Sequence, residues 1–264
     1  MTAPTREQLE DGYICTWSKA HPPLRPSEAE LAFYGKWFGL ALPGRHGRLL
    51  ILGSTAELRD MALQRGLRPT CGDMSRRIWE AMRALMNHHG PEDFICGNWL
   101  DIPEDQTWDL ILGDGSLVMM PPELLDAFLG KLRRLAGDRG TVVLRYGGRT
   151  RPVPLEFFGE AARRFATEGG NRTLYEYLAY LINLLRSQHA PDMETRPFVE
   201  ERLMRFLNPD QQETLRNQLW DWRVCLPEKR DLDERFAKHF RTQETHVSTE
   251  PGNWDISFVT AFRA

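Results

Sequence analysis

The sequence predicts an α/β protein: a doubly wound, mostly parallel sheet of seven strands, ending in a C-terminal antiparallel hairpin and interrupted after the fifth strand by a helical subdomain. Three observations carry that expectation. Between Arg48 and Tyr146, short apolar runs alternate with stretches of helical periodicity, the pattern of βαβ units. One run, Trp108 to Gly113, is almost continuously apolar, as expected of a parallel strand covered on both faces. Near the end, Thr242 to Ser248 and Asp255 to Phe262 read as two strands joined by the turn sequence TEPGNW, a hairpin signal.

Each element has its own justification. Residues 1 to 24 are polar apart from positions such as Trp17, and break at Pro22-Pro23. Ser27 then stands as N-cap of a helix with Leu31, Tyr34 and Phe38 at helical spacing. Strand one is Arg48 to Leu52; the helix after it turns Leu58, Met61 and Ala62 to one face and stops at Gly66. Strand two is short, near Pro69 to Gly72, and a helix from Asp73 to His89 follows with Ile78, Met82, Leu85 and Met86 inward. Phe94 to Cys96 is strand three and Trp108 to Gly113 strand four. Pro121-Pro122 open a helix carrying Leu125, Phe128, Leu129 and Leu132, ended by Gly137, and Thr141 to Tyr146 is strand five.

From Arg151 to Phe240 the periodicity is helical only, in segments 154–167, 172–187, 196–207 and 209–222 separated by Gly169-Gly170, Pro191 and Pro209. One stripe runs Leu174, Tyr177, Leu178, Leu181 and Leu185. The expected division is therefore a sheet domain of residues 1–150 and 238–264 and an inserted helical subdomain of 151–237, serving as a lid or wall over a ligand or as a homodimer contact. A chain of 264 residues has room for both units.

Composition narrows the function. A formal charge of -3 lacks the basic field that drives sequence-independent nucleic-acid binding, so no nucleic-acid partner is expected. Cys15, Cys71, Cys96 and Cys225 are scattered without C-x-x-C spacing, the pattern of reduced thiols. With no signal peptide and no membrane-length apolar run, a soluble, cytoplasmic protein without membrane contact is expected. His88 and His89 are neighbours that point about 100° apart on a helix, and no second pair accompanies them, so no metal site is expected.

The chemistry is concentrated in LLILGSTAEL, Leu49 to Leu58, and in Asp73, twenty positions beyond Gly53. An acidic residue at that spacing offers its carboxylate to the two hydroxyls of a ribose, which points to a nucleoside-containing cofactor. A dinucleotide turn, G-x-G-x-x-G, brings backbone close to a pyrophosphate. Here Thr55 replaces the second glycine and Glu57 stands where phosphates would lie. A carboxylate there repels pyrophosphate and suits a cationic ligand, namely the sulfonium and ammonium of S-adenosylmethionine.

At this point the sequence resembles the class I, Rossmann-like S-adenosylmethionine-dependent methyltransferases, in particular a subset with G-x-T-P-E at the turn; Ala56 stands where that subset has proline. The family's landmarks follow in order as Gly53, Asp73, Asn98 in CGNWLDIP, Asp114 in WDLILGDGS, and the strand GTVVLR. Two positions depart: Ile51 stands for an acidic residue two before the turn glycine, and Asn98 for an aspartate that reads the adenine amino group.

The resemblance implies a methyltransferase with a small or medium-sized acceptor and a cofactor site of Gly53, Ser54, Thr55, Glu57, Asp73, Met74, Asn98, Trp99, Asp114 and Gly115. Several of these have plainer readings. Glu57 is either a first-turn acid complementing the helix dipole or a contact for the ligand's amino-acid end; Asp73 is a ribose ligand, an N-cap, or both; Trp99 flanks adenine or fills the core. Ser116, Arg145, Tyr175 and Tyr180 are candidate substrate-binding residues, Arg145 holding an acceptor carboxylate or forming a salt bridge. Arg25 and Trp17 close over the methionine end or simply pack. No catalytic residue is assigned, because methyl transfer asks mainly for alignment. The rival readings are a non-catalytic protein of the same fold and a transferase of another carbon of the same cofactor.

Overall fold

The structure is a computed structural model that describes residues 6–20, 22, 24–168, 174–218, 226–248 and 257–264. Cys225, the expected turn 249–254 and the helix end at 219–222 lie outside the described residues.

A single mixed sheet organises the chain. Its strands are β1 (Leu49–Leu52), β2 (Thr70–Asp73), β3 (Asp93–Cys96), β4 (Leu110–Asp114), β5 (Thr141–Gly147), β6 (Arg241–Val247) and β7 (Ser257–Arg263), in the spatial order β3-β2-β1-β4-β5-β7-β6. The first five are parallel, and β7 runs antiparallel to both β5 and β6. Strand order reverses beside β1, between β2 and β4, which makes the carboxyl ends of these three strands the natural ligand crevice.

Period-two alternation within the strands divides the core into two layers. Leu49, Ile51, Leu110, Leu112, Val143, Val259 and Ala261 face α2 (Glu28–Ala41) and α3 (Ala56–Gln64). Leu50, Leu52, Ile111, Val142, Leu144, Tyr146 and Phe262 face α5 (Leu125–Ala136), with Phe128, Leu129, Leu132 and Leu135 forming the buried stripe of that helix. Ile51, at the position where the resemblance has an acid, is fully buried in the first layer. The N-cap expectation at Ser27 holds: its hydroxyl accepts from the Glu30 amide while the Glu30 carboxylate accepts from the Ser27 amide, a capping box that is worth about 1 kcal/mol.

Three differences from the sequence reading have local causes. Residues 6–19, read only as a polar lead-in, form α1 (Arg6–Lys19); Ile14 and Trp17 anchor it in a small cluster with Ala56, Met82 and Met86. Strand β2 extends through Asp73, and Ser75, not Asp73, caps α4 (Arg76–Met82) by accepting from the Ile78 amide. That helix gives way to a 3₁₀ turn at Arg83–Leu85 rather than running to His89, and the Asp60 carboxylate accepts from the His88 amide beyond it.

The insertion comprises α6 (Glu156–Glu168), α7 (Leu174–His189), α8 (Thr195–Phe198), which continues as a π turn and a 3₁₀ turn to Phe206, and α9 (Pro209–Gln218). It has its own core, including Phe158, Leu178, Leu181, Leu185, Phe198 and Leu215. Its sequence boundary needs one correction. Helix α10 (Lys229–His239), expected to fall almost entirely inside 151–237, packs on the sheet instead: Phe236 lies 4.4 Å from Phe262 and 5.2 Å from Tyr146, ring centre to ring centre.

Candidate functional site

The carboxyl ends of β1 and β2 are stitched together by backbone. Gly53 leaves β1 at φ +92°, a left-handed conformation that a side chain would strain, and its amide donates to the Gly72 carbonyl at 2.7 Å. The Trp99 indole N–H donates to the same carbonyl at 2.7 Å, and a Cβ at Gly53 would sit 3.9 Å from the Trp99 ring. That ring also lies 5.7 Å from Phe128, so Trp99 belongs partly to the core and partly to the crevice wall.

Asp73 ends β2 with both oxygens oriented. The Ser54 hydroxyl donates to one at 2.6 Å and the Ser75 amide to the other at 3.0 Å. Burial pushes its pKa above the ordinary aspartate value, while the hydrogen bonds from Ser54, Ser75 and Met74 pull the other way. Among the described residues, Arg25, Arg59 and Arg145 each have an acidic partner of their own, and no ion pair to Asp73 is seen. Met74, next in sequence, exposes 63% of its surface, an unusual position for a large apolar side chain. Asn98 is exposed and its side-chain oxygen accepts from the Leu100 amide at 3.0 Å, capping the turn that carries Trp99.

The ends of β4 and β5 are built differently. Asp114 and Arg145 are direct partners in the parallel register, and the Arg145 guanidinium donates to the Asp114 carboxylate. The same guanidinium reaches Glu30 at 3.7 Å and the Leu24 carbonyl at 3.1 Å. Glu30 in turn accepts from the Ser257 hydroxyl at 3.1 Å, so one cation holds together β4, β5, α2 and β7. Arg145 is 2% exposed; of the two readings the sequence left open for it, an acceptor carboxylate or a salt bridge, the structure shows the salt bridge, buried instead of on the surface, because register and burial turn it inward onto Asp114. The Thr55 hydroxyl donates to Asp114 at 3.3 Å, tying the β1 turn to this cluster. Burial drives the Asp114 pKa upward against the attraction of Arg145. Gly115 turns at φ +66°, and Ser116 is buried with its hydroxyl packed where a Cβ on Gly113 would collide, 2.6 Å away. Ser116 thus packs into the turn, and its buried hydroxyl has no hydrogen-bond partner among the described residues.

A third set of residues arrives from upstream. The Arg25 guanidinium lies 2.5 Å from one oxygen of Glu57, and the second oxygen of Glu57 is buried with no hydrogen-bond partner. Glu57 is thus a half-satisfied carboxylate and not the open negative charge expected from the turn sequence. Arg25 also approaches the Trp17 ring at 6.0 Å and the Trp17 carbonyl at 3.5 Å, and Trp17 stacks on Tyr13 at 5.7 Å. Tyr13 as a whole residue is 36% exposed. Desolvation of its hydroxyl, with Asp114, Asp73 and Glu57 nearby, pushes its pKa well above the usual tyrosine value, so it stays protonated at neutral pH. Sequence reasoning missed Tyr13 and Glu30. For Tyr13 the available signal was its four-residue spacing from Trp17, whereas Glu30 reads in sequence as a capping-box acid and nothing more.

On the acceptor side, Leu24 and Val118 pack against the core of the insertion, which therefore abuts the same edge of the sheet. Tyr175 and Tyr180 lie on α7, but their side chains fall outside the described residues. Among the described residues no group of three or more His, Cys, Asp or Glu side chains is arranged to hold a metal ion, and no helix is long and apolar enough to cross a membrane. A cavity of about 240 Å³ lined by Phe38, Leu42, Arg65 and Leu67 opens at the amino ends of β1 and β2, away from this chemistry.

No protein-family model and no curated protein matches the sequence. Solved structures do match in shape. A Rhodobacter sphaeroides protein named as a Zn-dependent alcohol dehydrogenase aligns at TM-score 0.59 and 15% identity, over 97% of this chain and 98% of its own. The magnesium protoporphyrin IX methyltransferase of Synechocystis, solved with bound S-adenosylhomocysteine, aligns at TM-score 0.52 and 12% identity over 100% and 90%. A TehB-like S-adenosylmethionine-dependent methyltransferase of Corynebacterium glutamicum aligns at TM-score 0.50 and 11% identity over 98% and 99%. Likeness at these identities is a likeness of fold alone: five parallel strands followed by the antiparallel β7-β6 pair with helices on both faces, a Rossmann-like arrangement similar to that of these solved proteins, two of them methyltransferases.

Proposed function

We propose that this chain is an S-adenosylmethionine-dependent methyltransferase acting on a small or medium-sized acceptor. The observation that carries the reading is Asp73: a carboxylate at the end of β2, oriented by Ser54 and Ser75, beside the left-handed Gly53 turn. Two further observations fit the same ligand. The unpartnered, buried oxygen of Glu57 suits an ammonium group, and the exposed face of Met74 between Asp73 and the Trp99 loop suits an adenine ring. When bound, S-adenosylmethionine supplies a methyl carbon already made electrophilic by its sulfonium.

What the chain contributes is alignment. Asp73 accepts from the two ribose hydroxyls, and the backbone at Gly53 and Gly115 lets the ligand approach closely. Glu57 meets the amino-acid end, and Tyr13 offers a neutral hydroxyl near the three carboxylates. Asp114 and Arg145 keep the β4 and β5 ends fixed rather than touching the acceptor. The insertion, abutting Val118, forms a wall of the acceptor pocket, with Tyr175 and Tyr180 of α7 as the residues proposed to line it. The formal charge of -3 favours a small-molecule acceptor over nucleic acid, and the free thiols Cys15, Cys71 and Cys96 favour a reducing, cytoplasmic setting.

Calorimetric titration tests the assignment. S-adenosylmethionine and S-adenosylhomocysteine are expected to bind with one site per chain, and NADH and FAD to give no heat; the reverse pattern overturns the reading. Another reading, a non-catalytic binding protein of the same fold, is favoured by one observation: two of the residues expected to face an acceptor, Ser116 and Arg145, are buried. Release of S-adenosylhomocysteine on incubation with candidate acceptors separates the two. A thioadenosine product would instead reveal transfer of another carbon.

A further inference from the structure

The end of the sheet opposite the crevice has a concavity that the proposed reaction does not use. It is the cavity of about 240 Å³ at the amino ends of β1 and β2, bordered by the last turn of α2, the Pro43-Gly44 turn and the segment that leaves α3. Phe38, Leu42 and Leu67 give it apolar walls, and all three are buried. Its volume is the share of about eight waters of the liquid, enough for a compact molecule of about ten non-hydrogen atoms. Among the described residues that line it, Arg65 carries the only charge.

Arg65 is held in place without being used up. Its guanidinium stands 5.1 Å from the centre of the Phe38 ring and donates one N–H to the Met61 carbonyl at 3.0 Å. No acid among the described residues pairs with it, so most of the donors of a guanidinium remain for a guest. Two glycines of α2 make the room. A Cβ on Gly35 would come within 3.2 Å of Arg65 Nη2, whereas a Cβ on Gly39, which borders the cavity, would meet nothing within 4 Å. Glycine weakens a helix relative to alanine, and at Gly39 no packing contact demands it. The backbone acceptors nearby are taken: Ala62 accepts from the Leu67 amide at 3.1 Å, Leu63 from Gly66 at 2.8 Å, and Phe38 from Leu42 at 3.0 Å. A cationic guest would therefore face a like charge with no acid to offset it. A phosphate dianion asks for several donors around it, and here one planar fork stands among apolar walls, the geometry that suits a carboxylate.

We propose that this cavity is a second binding site, for a small monocarboxylate with a compact apolar body. The carboxylate pairs with the Arg65 guanidinium, and the body rests against Phe38, Leu42 and Leu67. Because Phe38 and Met61 already hold the guanidinium, little side-chain freedom is lost when the guest arrives. The site does not rest on the nucleoside reading of the crevice. Helix α3 separates the two, with Glu57 in its first turn and Arg65 just past its last, nine helical residues or about 13 Å along the axis.

Backbone amide spectra of the full-length protein, titrated with sodium benzoate and with its uncharged counterpart benzamide, test the proposal. Benzoate is expected to shift the Gly39, Gly44, Arg65 and Leu67 amides saturably, and benzamide to bind about tenfold more weakly, the difference made by a charge-assisted pair. Arg65→Gln should lower benzoate affinity about tenfold, to the level of benzamide. Gly39→Leu should abolish the shifts from both compounds by filling the opening, and should unfold no earlier than the parent chain, since leucine is the better helix former. Should that variant unfold early, Arg65→Gln and the ratio of the two compounds still decide. Saturating S-adenosylhomocysteine is expected to leave the benzoate shifts in place. The proposal is overturned by equal affinities for the two compounds, by benzoate binding that Arg65→Gln leaves unchanged, by shifts gathered at crevice residues, or by no saturable shift up to about 10 mM benzoate.

Discussion

Two carboxylates end the strands on either side of β1, Asp73 on β2 and Asp114 on β4, and the protein uses them in opposite ways. Asp73 receives a hydroxyl and an amide, and next to it Met74 stands exposed. Asp114 is buried and held by Arg145, with Glu30 and the Leu24 carbonyl on the same guanidinium. The first is poised by neutral donors that leave lone pairs for a ligand. The other is locked by a charge, and removing that charge would strand two acids in the interior. A strand-end acid is therefore not a ligand contact merely by position: what decides is whether a cation stands across from it in the register.

The largest expected effect breaks the locked side. Arg145→Leu should cost about 3–5 kcal/mol of folding stability, because Asp114 and Glu30 lose their compensating charge, and chemical denaturation reads the loss directly. A change below about 1 kcal/mol would mean that the cluster is no lock at all.

On the poised side the effect should appear in binding and not in folding. Asp73→Ala is expected to weaken S-adenosylhomocysteine by about 1–3 kcal/mol in a titration, by leaving ligand hydroxyls unpaired. Asp73→Asn should hold or raise the unfolding midpoint at neutral pH. The sign follows from linkage: a carboxylate whose folded-state pKa is raised contributes stability only at low pH, and loses it as pH rises through the folded value. An Asn variant that unfolds markedly earlier would place Asp73 with Asp114 among the structural acids.

Acidity sharpens the comparison further. Because burial raises the Asp73 pKa, protons should begin to compete with the ribose hydroxyls at a pH above the range of an ordinary aspartate. Affinity for S-adenosylhomocysteine, followed downward from about pH 7.5, should fall with a one-proton slope that disappears in Asp73→Asn. A slope that survives in this variant assigns the proton to another group. The smallest effect is expected at Met74→Ala, about 1 kcal/mol or less in ligand affinity and none in stability, since the side chain is 63% exposed before any ligand covers it.

How far the chain could be read without coordinates differs between these regions. Period-two and period-3.6 patterns place the same side chains on the same faces wherever the segment ends up, so the seven strands, the Ser27 cap and the buried stripe of α5 were all legible. The pairing of Asp114 with Arg145 was not, because 31 residues separate them and only strand register brings them face to face. Helix α1 escaped for a related reason: its sequence, REQLEDGYICTWSK, has no clean apolar stripe, and its position depends on a groove that α3 and α4 create. Helix α10 was placed with the wrong unit because helical periodicity shows that a face is apolar, not which surface it covers.

The sequence by itself determined the α/β class, the order of its elements, the Gly53 turn and the acid twenty positions beyond it, all of which follow from local backbone preference and side-chain period. Tertiary structure alone decided which acids remain available: it turned Arg145 inward onto Asp114, brought Arg25 to Glu57 across 32 residues, and left Asp73 with neutral donors. The physical reason is that a side chain's identity fixes its charge, whereas the free energy of that charge depends on what burial and register set beside it.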